Sequence, residues 1–96
     1  MVVSMLLAVL ELPDIESIKD KRRIVHGLRD RLIRKFRISV AEVDLQDSLS
    51  FSQIGAALVC NDQVHGERVM QHVLSFIEDN LPGRVQHVQI HSEIHQ

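Results

Sequence analysis

The chain has 96 residues, a length that accommodates one folded domain with a single thin hydrophobic core. Its composition is 45% hydrophobic and 25% charged with few Gly and Pro residues, which excludes a disordered or fibrous chain. A single cysteine, Cys60, excludes an internal disulfide framework and is compatible with a reducing compartment.

Positive charge is concentrated in one segment of the chain. Residues 17–37 hold nine of the eleven Lys and Arg residues. Against Asp20 and Asp30, these nine bases give a local charge of +7 and leave −9 for the remainder of a chain whose net charge is −2. We therefore expect an electrical dipole, with one basic element on an acidic body.

The first predicted element is a strand over residues 2–12, which Pro13 ends. Its residues are apolar on both alternating sides, a pattern typical of a strand that is covered on both faces. The segment has no basic flank and no small-residue cleavage site, and about twelve residues are too few to cross a bilayer. We therefore expect neither a signal peptide nor membrane association.

A helix is predicted from about residue 17 to residue 36. Ser17 is a suitable N-cap with Asp20 three positions later, and apolar residues recur at helical spacing as far as Phe36. The alternation in residues 37–44 and the segment QIGAALVC at 53–60 predict two further strands joined as a hairpin.

A second helix is predicted after Asn61 or Asp62, either of which can cap it, and it ends near Pro82. The last strand, residues 84–95, alternates apolar with polar side chains, which is typical of an edge strand. The order βαββαβ predicts a single α+β ferredoxin-like domain over residues 1–96. Its antiparallel sheet would have the order 4-1-3-2, with both helices on one face.

Two helices can cover only one face of such a sheet. The apolar far side of the central strands is therefore expected to contact a partner, most simply a second copy of the chain in a homodimer. The alternative is an apolar sheet face that stays exposed in a monomer.

Three short motifs, SIKDKRR at 17–23, VAEVDLQD at 40–47 and CND at 60–62, give the chain a resemblance to the bacterial YlxP-like family, a domain of unknown function. The resemblance covers essentially the whole chain and implies a ferredoxin-like fold. Genes of that family commonly lie among those for translation and ribosome maturation, which implies an RNA-linked role. Family members usually carry a His and a Trp where this chain has Leu45 and Leu49. The loop positions that the resemblance carries over are Glu42, Asp44, Gln46 and Asp47.

On a helical wheel, most bases of the first helix lie opposite or beside the apolar stripe, in a row about 25 Å long. We call this row the basic ridge, and its members are Lys19, Arg22, Arg23, His26, Arg29, Arg34 and Arg37. Such a ridge can bind the phosphates of a nucleic acid. The alternative is a solvated helix face whose last bases complement the helix dipole. The third strand lacks the aromatic residues with which RRM proteins stack RNA bases, so we expect contacts mainly with the RNA backbone.

Two other groups of polar residues are candidates for chemistry. His87, His91 and His95 lie on one side of the last strand at intervals of about 13 Å, too far apart to ligate one metal ion. Asp44 and Asp47 resemble an acid/base pair, but no nucleophile, Gly-rich loop or partnered His accompanies them in the sequence. We therefore predict no metal site, no cofactor and no enzymatic activity.

Taken together, these features predict a cytoplasmic, non-catalytic RNA- or ribosome-associated module that binds through its basic first helix. The alternative function is an oligomeric domain that binds a protein or a small ligand and has no nucleic-acid role.

Overall fold

The computed structural model describes all 96 residues, and its elements follow the order βαββαβ. The elements are β1 (Val2–Glu11), α1 (Ile18–Phe36), β2 (Ser39–Asp44), β3 (Phe51–Cys60), α2 (Gln63–Asn80) and β4 (Arg84–Ile94). The four strands form one antiparallel sheet in the order β2-β3-β1-β4, so β1 and β3 are central. The predicted ferredoxin-like topology is therefore confirmed.

The two faces of the sheet differ because alternate residues of each strand point to opposite sides. Leu6, Ala8 and Leu10 of β1 and Ile54 of β3 are buried on the side that the helices cover. The buried helical residues that complete this core are Val25, Leu28, Leu32, Met70, Val73 and Ile77. The core thus lies in one layer between the helices and the sheet.

Both helices begin at a side-chain cap. Ser17 Oγ accepts a hydrogen bond from the Asp20 N–H at 3.1 Å, as the sequence predicted. Of the two candidates before α2, Asp62 is the cap, and its carboxylate accepts from the Val64 N–H at 3.3 Å. Neither helix is long and apolar enough to span a membrane.

Strand β4 contains an irregularity that simple alternation does not predict. Val9 pairs with His87 whereas Leu10 pairs with Val85, so Gln86 is an extra residue in the ladder. Its side-chain amide donates to Glu11 Oε1 at 2.8 Å. A bulge of this kind resets the alternation, and Val85 therefore packs against the core, as Val88 does.

Gly27 lies in the middle of α1, where a Cβ atom would have no neighbour within 4 Å. Because glycine has more backbone freedom in the unfolded chain, Gly27→Ala is expected to stabilise the protein by about 1 kcal/mol. For a domain of this size that corresponds to a rise of about 4 to 8 °C in the unfolding midpoint. Thermal unfolding followed by circular dichroism measures the change, and a lower midpoint would contradict it.

Candidate nucleic-acid interface

The basic ridge lies on the outer side of α1. Because Val25, Leu28 and Leu32 are buried against the sheet, positions on the opposite side of the helix face solvent. Four ridge residues are exposed and have no carboxylate oxygen within 4 Å of their charged groups. These four unpaired ridge residues are Lys19, Arg22, Arg34 and Arg37.

The other ridge residues have polar neighbours on the same helix or are less accessible. Arg23 donates to Asp20 Oδ1 at 2.6 Å, although its side chain is 74% exposed. Arg29 donates to Asp30 Oδ1 at 3.0 Å. Solvent-exposed pairs of this kind are weak and are screened by salt, so a phosphate can compete for either guanidinium. His26 is half-buried.

Two bases of α1 lie outside the ridge and face the second helix. The Arg31 guanidinium carbon is 5.8 Å from the centre of the Phe76 ring, and Lys35 Nζ is 5.7 Å from it. Phe76 also packs edge-to-face against Phe36, with ring centres 6.0 Å apart. Cations stacked on aromatic rings in this way help to join α1 to α2. Arg31 and Lys35 therefore have a local structural role.

Lys21 is the one base of residues 17–37 that the fold buries, and it is only 1% exposed. Its Nζ donates to the Leu45 carbonyl oxygen at 2.5 Å and lies 3.3 Å from Glu42 Oε2. The same Glu42 oxygen accepts from Ser52 Oγ at 2.6 Å. One of the nine charges is therefore neutralised inside the protein and is lost to any external anion.

The ion pair and two neighbouring hydrogen bonds stabilise the acidic loop that follows β2. Asp44 Oδ1 accepts from the Leu45 N–H at 2.8 Å, and Gln46 Nε2 is 3.5 Å from the Glu42 carbonyl oxygen. Glu42, Asp44 and Gln46 thus stabilise the loop itself. Asp47 is exposed.

Two of the motifs that carry the family resemblance therefore meet in space. Lys21 belongs to SIKDKRR, and Glu42 and Leu45 belong to VAEVDLQD. Sequence reasoning missed this pair because it counted Lys21 as surface charge. One signal was available, since Lys21 precedes the buried residues Val25 and Leu28 by four and seven positions and so lies on the apolar stripe.

His87 and His91 of β4 and His95, which follows the strand, are spread along the chain's last segment. His91 Nε2 and His95 Nε2 approach the Glu93 carboxylate at 3.9 Å and 3.5 Å. No group of three or more His, Cys, Asp or Glu side chains is placed to hold a metal ion. Asp44 is the last residue of β2 and Asp47 lies in the loop that follows, and β2 and β4 are opposite edges of the sheet.

Comparisons with known proteins identify the family. A family described as "Protein of unknown function (DUF503)" matches residues 3–90. The chain is 34% identical over 65 residues to the uncharacterized protein YlxP of Bacillus subtilis (strain 168), a match that covers 68% of this chain and 71% of that protein. A de novo designed protein with a ferredoxin fold, solved by solution NMR, has a TM-score of 0.58 at 12% identity, over 100% of this chain and 86% of the designed one. This last similarity concerns the fold alone. The chain belongs to the DUF503 family of proteins of unknown function, and its resemblance to the YlxP-like family is confirmed.

Proposed function

We propose that this protein is a cytoplasmic, non-catalytic module that binds structured RNA, free or in the ribosome, through phosphate contacts of the basic ridge. The observation that carries the proposal is the set of four unpaired ridge residues on the outer side of α1. Unpaired guanidinium and ammonium groups on one helix bind phosphates with a favourable free energy relative to hydration, because each contact releases counterions condensed on the nucleic acid.

The unpaired ridge residues form two pairs, one near each end of α1. Lys19 and Arg22 lie in the first turns and Arg34 lies in the last turn, whereas Arg37 is the C-cap that follows α1, with a left-handed backbone (φ 54°). Arg22 and Arg34 are twelve positions apart, which is about 18 Å along a helix. The two pairs therefore contact different phosphates, and a folded RNA that fixes its phosphates in space suits this spacing better than a flexible strand.

The surroundings of the ridge favour backbone contacts over base contacts. No aromatic residue belongs to the ridge, and Phe36 and Phe76 pack against each other. The third strand begins earlier than the sequence predicted and includes one exposed aromatic residue, Phe51, but this residue lies in the sheet and not on α1. Base stacking on aromatic side chains is the usual source of affinity for single strands. We therefore propose recognition of RNA shape and charge with weak dependence on base sequence.

Simultaneous replacement of Lys19, Arg22, Arg34 and Arg37 by Gln tests the proposal. Binding of the wild type to a labelled structured RNA is expected to weaken as the salt concentration rises. For four phosphate contacts, the slope of the log association constant K against the log salt concentration is expected to be about −3. The fourfold variant is expected to lose most of that affinity, because its remaining surface contributes few contacts. Fluorescence anisotropy across a salt series measures both quantities.

A control for the position of the charges uses two other bases of the same helix. Arg31→Gln with Lys35→Gln removes two positive charges from α1 that lie outside the ridge. This variant is expected to retain nearly all RNA affinity, and thermal unfolding verifies that both variants fold. Undiminished binding by the fourfold variant would reject the ridge as the site.

The uncovered face of the sheet favours a second candidate function, an oligomeric domain that binds a protein or a small ligand. An apolar groove of about 520 Å³ crosses that face, between Met5 and Leu7 of β1 and Ala41 and Val43 of β2. Sedimentation and RNA retention measured on one sample separate the two functions. An assembly that is insensitive to salt and does not retain RNA would favour the second.

A further inference from the structure

The uncovered sheet face has no charged side chain across the middle of β1, β2 and β3, and it is bounded on one side by polar residues of β4, His87, Gln89, His91 and Glu93. Between Val3 and Val9, the β1 residues on this side are all apolar, and Leu7 is 39% exposed. Val59 of β3 and Val43 of β2 are 65% and 48% exposed on the same side. Depletion of charge in a continuous apolar patch distinguishes the centre of a protein interface from ordinary surface.

Large and small side chains lie next to each other at the centre of this face. Leu7 is the register partner of Gly55, and Met5 is the register partner of Ala57. The small residues of β3 form the floor of the apolar groove, and Leu7 of β1 and Val43 of β2 form its walls, since a Cβ atom at Gly55 would lie 3.7 Å from Leu7 Cδ2 and 3.0 Å from Val43 Cγ1. The face therefore contains both a projection and a depression that could receive it.

We propose that a second copy of this chain covers the face, with the two sheets packed against each other in a symmetric dimer. A two-fold axis between β1 and β3, parallel to the strands, places β1 of each copy over β3 of the other. Leu7 then lies over Gly55 of the second copy and Met5 over its Ala57. Such an interface is isologous, because each copy contributes the same projection and the same depression.

The available area is sufficient for a specific dimer. The four strands have 10, 6, 10 and 11 residues, and at about 3.3 Å per residue and a spacing of about 4.8 Å they present roughly 600 Å² per copy, of which β4 forms a polar margin. Two copies together bury about 1,200 Å², which reaches the lower bound of stable interfaces. The opposite surface of each sheet is already covered by helices, so this face is the one that remains free.

This dimer is independent of RNA binding. Both helices lie on the far side of each sheet, so the two basic ridges occupy opposite outer surfaces of the assembly. Apolar association persists at high salt, whereas phosphate contacts weaken. A failure of one proposal therefore leaves the other intact.

Leu7→Glu tests the interface by placing two carboxylates in it, one from each copy. Sedimentation velocity of the wild type is expected to give twice the chain mass of 11.0 kDa, and the variant is expected to sediment as a monomer. Val64→Glu is the matched control, because Val64 is 64% exposed on α2, outside the sheet. The control is expected to remain dimeric.

A mixing experiment tests the geometry. Met5→Glu and Ala57→Lys are each expected to dissociate the dimer alone, and an equimolar mixture is expected to form a heterodimer in which the introduced carboxylate faces the introduced ammonium group. Circular dichroism shows that each variant is folded before mixing. A monomeric wild type at micromolar concentrations, or a Leu7→Glu variant that stays dimeric, would overturn the proposal. Dissociated variants that stay separate after mixing would overturn the placement of β1 over β3.

Discussion

Lys21→Met is expected to destabilise the protein by about 3 to 5 kcal/mol, because it leaves the Glu42 carboxylate buried without its counter-charge. The Glu42 side chain is 10% exposed and keeps only the hydrogen bond from Ser52 Oγ at 2.6 Å. The loop also loses the hydrogen bond from Lys21 Nζ to the Leu45 carbonyl oxygen. Urea unfolding measures the decrease in the free energy of unfolding. A decrease of less than about 1 kcal/mol would show that water replaces the Lys21 ammonium group beside Glu42.

The double variant Lys21→Met with Glu42→Met separates the ion pair from the rest of the site. Removing both charges leaves no orphaned ion, so the double variant is expected to recover a large part of the stability that the single variant loses. Loss of equal size in the single and double variants would mean that packing of the lysine stem, and not the charge, is the dominant contribution.

Gly66→Ala is expected to destabilise the protein by about 3 kcal/mol, the upper end of the usual range for overpacking. At Gly66, α2 packs closely against the sheet. A Cβ atom there would overlap Ser4 Oγ and would lie 2.9 Å from both Ser4 Cβ and Cys60 Sγ. Both neighbours belong to the central strands β1 and β3, so relief requires the helix to move outward.

Two variants make the Gly66→Ala measurement specific. Ser4→Ala in the same chain removes the overlapping hydroxyl and is expected to restore part of the stability, although it also removes the 2.8 Å contact between Ser4 Oγ and Ser92 Oγ. Gly27→Ala makes the same chemical change in the other helix and is expected to act in the opposite direction. A Gly66→Ala variant that is as stable as the wild type, or more stable, would contradict the close approach at Gly66.

The element order of the fold was predictable because burial has a clear sequence pattern. A strand that is apolar on both sides belongs in the middle of a sheet, and β1 lies there. The bulge at Gln86 was not predictable, because it depends on how β4 pairs with Glu11 and Leu10 across the sheet. Local alternation contains no information about an extra residue in the ladder.

The candidate interface was predictable in position but not in detail. Helical periodicity placed the ridge opposite the apolar stripe, and the spacing of Asp20 and Arg23 is that of an i, i+3 ion pair. The position of Lys21 on the apolar stripe was a sequence signal of its burial, but its partner was not predictable, because Glu42 lies on the helix-facing side of β2. Likewise, periodicity left Arg31 out of the ridge but did not predict its contact with Phe76 of the second helix. These contacts join residues far apart in the chain, which periodicity alone does not reveal.

The most direct test of RNA binding through the ridge compares the salt dependence of two double variants with equal change in charge. Arg34→Gln with Arg37→Gln alters the ridge, whereas Arg68→Gln with Arg84→Gln removes the two bases outside residues 17–37. The first variant is expected to reduce the steepness of log K against log salt by about 1.5, since each lost phosphate contact lowers it by about 0.7 to 0.9. The second is expected to keep the wild-type slope. Equal slopes for the wild type and the ridge variant would contradict phosphate binding by α1.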